Sequence, residues 1–160
     1  MKKYFLLILC LMPLCLLAQT YKMYQTRNYH NQLRLNTATG EVLQVQDDGQ
    51  SWKICDAREE SGKVDNRFCL YETQNMWTFI MLDSYTGRIW QVQYDTKSLD
   101  NLLCVSINEE VLESGDRSIF SIQPMTSMFQ YYLISNKSGA MWQFQWTTEG
   151  PDYRWIKRVN

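Results

Sequence analysis

WTFIMLDSYTGRIWQVQY, residues 77–94, reads as one β-hairpin. Trp77, Phe79 and Met81 alternate with Thr78, Ile80 and Leu82, and beyond the turn Trp90, Val92 and Tyr94 alternate with Ile89, Gln91 and Gln93. A period of two on both arms predicts strands, and their aromatic and β-branched content suits a pleated, largely buried surface. Asp83 to Gly87 supplies a side-chain acceptor at the turn entry and a glycine able to take positive φ at its exit.

Weaker copies of this hairpin lie on either side. With Gly40, Gly87 and Gly139 in one column, residues 21–46 align with 68–93 and with 120–145, at offsets of 47 and 52. The first pair shares nine identities in 26 positions and the second pair six, where composition alone gives roughly one or two. Each unit reads as a short first strand (YKMY, FCLY or FSIQ), the hairpin, and a fourth strand at 52–55, 102–107 or 153–159. No helical period of useful length appears, so the chain is predicted to be all-β, with repeats at 21–66, 67–118 and 119–160. Three four-stranded units fit a β-trefoil, in which first and fourth strands form a barrel capped by the hairpins. They also fit a propeller-like array of blades. The trefoil is preferred, because propellers typically have at least four blades and three would demand oligomerisation or an unusual closure.

Strand alternation sorts the side chains by face. Leu33/Leu35, Ile80/Leu82 and Tyr132/Ile134 are apolar in every copy and are expected in the core. On the other face His30, Gln32 and Arg34 become Trp77, Phe79 and Met81, then Phe129, Tyr131 and Leu133. These aromatics either fill the middle of the fold or form an exposed strip on which a sugar or protein docks. The paired glutamines Gln44/Gln46, Gln91/Gln93 and Gln143/Gln145 recur on one face of the third strand. Their amides could read sugar hydroxyls, or could satisfy loop backbone or solvent, with duplication alone explaining their regularity. The candidate ligand-binding set is therefore Trp77, Phe79, Gln91, Gln93, Phe129, Tyr131, Gln143 and Gln145.

Lys2 and Lys3 precede an apolar run from Tyr4 to Leu17 and a small residue, Ala18. Residues 1–18 are thus expected to be a secretory signal peptide, leaving 19–160 as a single exported domain without a transmembrane span. Loss of the two lysines leaves 14 basic against 17 acidic residues, a net charge of −3, and no basic stripe for nucleic acid. Cys55, Cys69 and Cys104 survive processing and permit one disulfide. Cys55 and Cys69 are the expected pair, with Cys104 a buried thiol in LLCVSI.

The phrase LYETQNMWTFIMLDSYTGRIWQVQY, residues 70–94, resembles a recurring LYxTxNMWTFxxLDxxTGxxWQVQ phrase of small exported bacterial proteins of Bacteroidota type. The likeness is looser at 21–46 and degenerate at 120–145, where Tyr71 and Thr73 become Gln123 and Met125. It implies a periplasmic or extracellular setting and carries over no catalytic residue. LDSYTGRIWQ also resembles the hairpin phrase LDxxTGxxxW of quinoprotein-like propeller blades.

For catalysis the inventory is thin. His30 is the single histidine, and the adjacent acids Asp47/Asp48, Glu59/Glu60 and Glu109/Glu110 nominate no cleft. The expectation is a non-catalytic, cofactor-free, metal-free binding module for a glycan or an envelope protein. The alternatives are an inhibitor acting through the charged loops at 56–66 and 108–118, or a self-associating scaffold subunit.

Overall fold

The computed structural model describes residues 20–57, 63–109 and 119–160. The expected leader at 1–18 and most of the two charged loops lie outside the described residues. Within them the chain is all-β, as the repeat predicts, with twelve strands in three antiparallel four-stranded sheets. The first sheet holds β1 (Tyr21–Gln25), β2 (Asn31–Asn36), β3 (Glu41–Gln46) and β4 (Ser51–Asp56). The second holds β5 (Phe68–Glu72), β6 (Thr78–Asp83), β7 (Ile89–Gln93) and β8 (Leu103–Asn108). The third holds β9 (Phe120–Pro124), β10 (Gln130–Ser135), β11 (Met141–Gln145) and β12 (Trp155–Val159). β12 starts later than the alternation suggested, because Pro151–Tyr153 turn as a short 3-10 helix before the strand begins.

Each sheet is a sequential meander, and the described ladders stay within one repeat. This order within a sheet is the one a propeller blade shares. The hairpin turns obey the chemistry read from the sequence. Asn36, Asp83 and Ser135 occupy one column, and their carbonyls accept the amides of Gly40, Gly87 and Gly139. All three glycines have φ between 73° and 75°, a region that L side chains enter only with strain.

The sheets stack face to face as three layers. Leu33, Leu35 and Val42 of the first sheet pack against Phe68, Phe79, Met81, Trp90 and Val92 of the second. On its opposite face the second sheet applies Ile80, Leu82 and Ile89 to Phe120, Tyr131, Leu133 and Phe144 of the third. The middle sheet is therefore covered twice, and every residue of β6 is buried. This corrects the assignment of Tyr132 and Ile134 to the core. The face bearing Leu33 in the first repeat and Ile80 in the second meets the next sheet, whereas the equivalent face of the third repeat meets no further sheet among the described residues. Tyr132 lies on that outer face and is half-buried.

A disulfide ties the first two layers, and it is not the expected one. Cys55 on β4 pairs with Cys104 on β8, their Cα atoms 5.3 Å apart, while Cys69 is the free thiol. Stacking brings the fourth strands of adjacent sheets together, whereas Cys69 sits on the first strand of its own sheet. Sequence spacing carries no record of that juxtaposition.

Candidate binding surface

The repeat makes the contacts between sheets repeat as well. Three of them define each seam. Thr37 accepts the amide of Phe68 at 2.8 Å, and its counterpart Ser84 accepts that of Phe120 at 3.0 Å. The Phe68 ring closes over Gly40, so near that an added Cβ would meet it at 2.9 Å, and Phe120 closes likewise over Gly87 at 3.0 Å. Buried Gln44 donates from Nε2 to the carbonyl of Asp95 at 2.8 Å, and buried Gln91 donates to the carbonyl of Thr147 at 2.9 Å.

A further pairing follows the same columns. Tyr24 accepts the amide of Leu70 on its hydroxyl at 3.2 Å. Its counterpart Tyr71 is bonded to the Ile122 backbone, and burial pushes its phenol up to about 12.

These seams account for most of the candidate ligand-binding set. Phe79, Tyr131 and Gln91 are buried between sheets, which leaves none of them a face for a ligand ring. Trp77 and Phe129 are half-buried, each against an aromatic partner: Trp77 with Tyr94 at 5.3 Å between centroids, Phe129 with Trp146 at 4.9 Å. Tyr94 and Trp146 are fully buried and fill the ends of their sheets. Gln93 is spent locally, donating to the Asn101 carbonyl. The filled-core reading of the aromatics is thus the one the packing matches.

Gln143 and Gln145 are placed differently, although Gln145 is bonded within its own repeat as Gln93 is, donating to the Tyr153 carbonyl at 3.1 Å. They lie on the outer face of the third sheet, beside Tyr132 and Trp155 across the ladder, with Met141 and Ile134 further along. Gln143 repeats half of the bonding of Gln44. Gln44 bonds the neighbouring Asn31 as well as the next repeat, and Gln143 bonds the neighbouring Gln130 at 3.2 Å. Gly139 differs from Gly40 and Gly87 in the same sense, since a Cβ there would meet nothing within 4 Å.

The outer face of the first sheet is the complementary end. Tyr21 and Met23 are 50% and 46% exposed, whereas their counterparts Phe68 and Leu70, then Phe120 and Ile122, are all at most 6% exposed. The aromatic plug is also replaced. In the columns of Trp77/Tyr94 and Phe129/Trp146 the first repeat places His30 and Asp47, joined by an exposed hydrogen bond. That bond holds the Asp47 carboxyl below its ordinary range. Tyr29, His30, Gln32, Val45, Gln46 and Asp47 line a hollow of about 120 Å³ there.

The sequence reading missed Tyr21, Met23, Gly139, Tyr132 and Trp155 as surface candidates. The signal that would have found them is the column alignment itself, read for end effects. Among the described residues, a stack of three like units leaves one face of each kind uncovered. Among the described residues no group of three or more His, Cys, Asp or Glu is arranged to hold a metal ion. No helix of the described residues is long and apolar enough to cross a membrane. Comparison of the chain with protein-family models, with curated proteins and with solved structures finds no match.

Proposed function

We propose that the chain is an exported, non-catalytic binding module whose partner is a protein seated on the outer face of the third sheet. The observation that carries this reading is the open seam chemistry at Gly139 and Gln143, whose counterparts in both other repeats hold a neighbouring sheet. Tyr132, Ile134, Met141 and Trp155 supply the apolar ground of that face, and Gln143 supplies a directional donor, whereas Gln145 is spent on Gln130 and the Tyr153 carbonyl. Aromatic and aliphatic anchors ringed by amides are the composition of a protein interface core and rim. An oxidising, bacterial-envelope location accords with the Cys55–Cys104 bridge.

The test is retention from envelope extract on the immobilised chain and on its Ile134→Asp variant. The expected result is a protein held by the first and lost from the second. Equal recovery on both would move the site elsewhere. A glycan is the second reading, favoured by two amide–ring neighbours across the ladders, Tyr132 with Gln143 and Trp155 with Gln145. Tryptophan emission titrated with envelope polysaccharides tests it, and an unchanged spectrum across a broad panel would count against it.

A further inference from the structure

We infer that the protein partner is a second copy of this chain. Two copies join head to tail, the outer face of each third sheet receiving the outer face of the other's first sheet, and six sheets close into one propeller-like ring. The inference rests on the reading of the third-sheet face as a protein-docking surface and names its occupant.

The three contacts that define each internal seam have one half left over at each end of the stack, whereas the tyrosine pairing does not extend to the third repeat, where Gln123 stands in the column of Tyr24 and Tyr71. Phe68 over Gly40 and Phe120 over Gly87 predict a third aromatic over Gly139. The residue in the Phe68 column of the first repeat is Tyr21, half-exposed on the outer face of the first sheet. Gln44 to Asp95 and Gln91 to Thr147 predict that Gln143 donates to a carbonyl in the same column, which in the first repeat is Asp48. Thus the third sheet offers a socket and a donor, and the first sheet offers the matching knob and acceptor.

Charge agrees with this register. Lys157 stands directly across the ladder from Gln143, so docking Gln143 on Asp48 carries the ammonium toward Asp47 and Asp48. Both faces are also more polar than the internal seams, with His30 and Asp47 in the place of the aromatic plug. Separately folded chains must remain soluble before they meet, and a face as apolar as the Phe79 side of the middle sheet would not allow that.

The number of copies follows from closure. A head-to-tail interface either closes into a ring or continues as a filament. Sheets stacked in this way close at four to eight blades, so two copies fit with six and three would give nine.

The experiment is light scattering of the exported chain across a dilution series, beside Tyr21→Asp, Ile134→Asp and their equimolar mixture. Retained near-native thermal transitions in both variants establish that they fold. The expected mass is that of two chains for the wild type. Either variant alone weakens pairing more than about tenfold, and the mixture regains pairs because one of its two seams is built from unaltered faces. Three results overturn the inference: a wild type that stays monomeric, open-ended growth of the wild type, or a Tyr21→Asp variant that pairs as well as the wild type. A monomer that still retains a foreign protein through Ile134 would refute the ring and leave the binding-module reading standing.

Discussion

Asp83 shows how much of this molecule rests on single side chains. It is the acid of the LDSYTG turn, fully buried, and its carboxylate accepts from Arg67 Nε at 2.9 Å and Nη2 at 2.6 Å. The same carboxylate takes the Tyr85 amide and the Thr86 hydroxyl. Removing one partner of a buried pair strands the other charge, so Asp83→Ala is expected to cost about 3–5 kcal/mol in urea unfolding. The column gives Asn36 and Ser135 as neutral equivalents that cap the same turn through Ala38, Thr39 and Ser138 amides. The turn alone therefore does not require the charge, and a loss below about 1 kcal/mol would mean that Arg67 finds other partners. The turn was legible from the acceptor and the glycine, but Arg67 was not, because the ion pair spans 16 residues and depends on how the chain enters β5.

Glycines at equivalent positions make a sharper residue-scale comparison. Gly40, Gly87 and Gly139 share their positive φ, so alanine strains the backbone at each by about 1–2 kcal/mol. Only Gly40 and Gly87 also have a phenyl ring in the way. Gly40→Ala is therefore expected to lose about 1–3 kcal/mol more than Gly139→Ala, from overpacking against Phe68. Denaturation in a Tyr21→Asp background keeps self-association out of the comparison, and equal losses would mean that the rings yield freely.

At the scale of elements, β4 and β8 are joined by the one covalent link between layers among the described residues, Cys55–Cys104, with a sequence separation of 49. A loop of that length corresponds to about 4 kcal/mol of stabilisation on a chain-entropy reckoning. Cys55→Ser with Cys104→Ser is expected to lower unfolding stability by about 2–4 kcal/mol and leave the strand content of the far-ultraviolet spectrum intact. Cys69 behaves oppositely. Burial raises its thiol, against a smaller lowering pull from Lys22, so less thiolate is present near neutral pH than on a free cysteine. Its alkylation in the folded chain should be slow at pH 7 and accelerate only as pH climbs beyond the ordinary thiol range. Rapid labelling at pH 7 would contradict that ordering. The pairing error in the sequence reading has the same origin as its error over Tyr132 and Ile134. Alternation tells which residues share a face, and nothing in one strand tells what covers that face.

The whole molecule is a stack in which like faces meet unlike ones, and the position of a sheet in the stack decides its stability. In the middle sheet β6 is buried throughout, whereas β2 and β10 alternate between buried and half-buried residues. The hairpin at 77–94 read most strongly as strand because both its faces are core, and the copies at its sides look degenerate because each has one face turned outward. Local opening follows apolar cover, so backbone amides of β6 and β7 should exchange with solvent only through global unfolding. Those of β1, an edge strand whose Tyr21 and Met23 are exposed, should exchange through smaller openings in the isolated chain. Pairing of two copies would alter that gradient at defined places. Protection should rise together in Tyr21–Gln25 and Met141–Gln145 as concentration increases, while β6 and β7 remain unchanged. Hydrogen exchange read by mass at two concentrations measures this. Protection rising only on the third-sheet side would point to a face-to-face pair through that sheet, and no change on either side would leave the two end faces as solvent caps of a three-layer monomer.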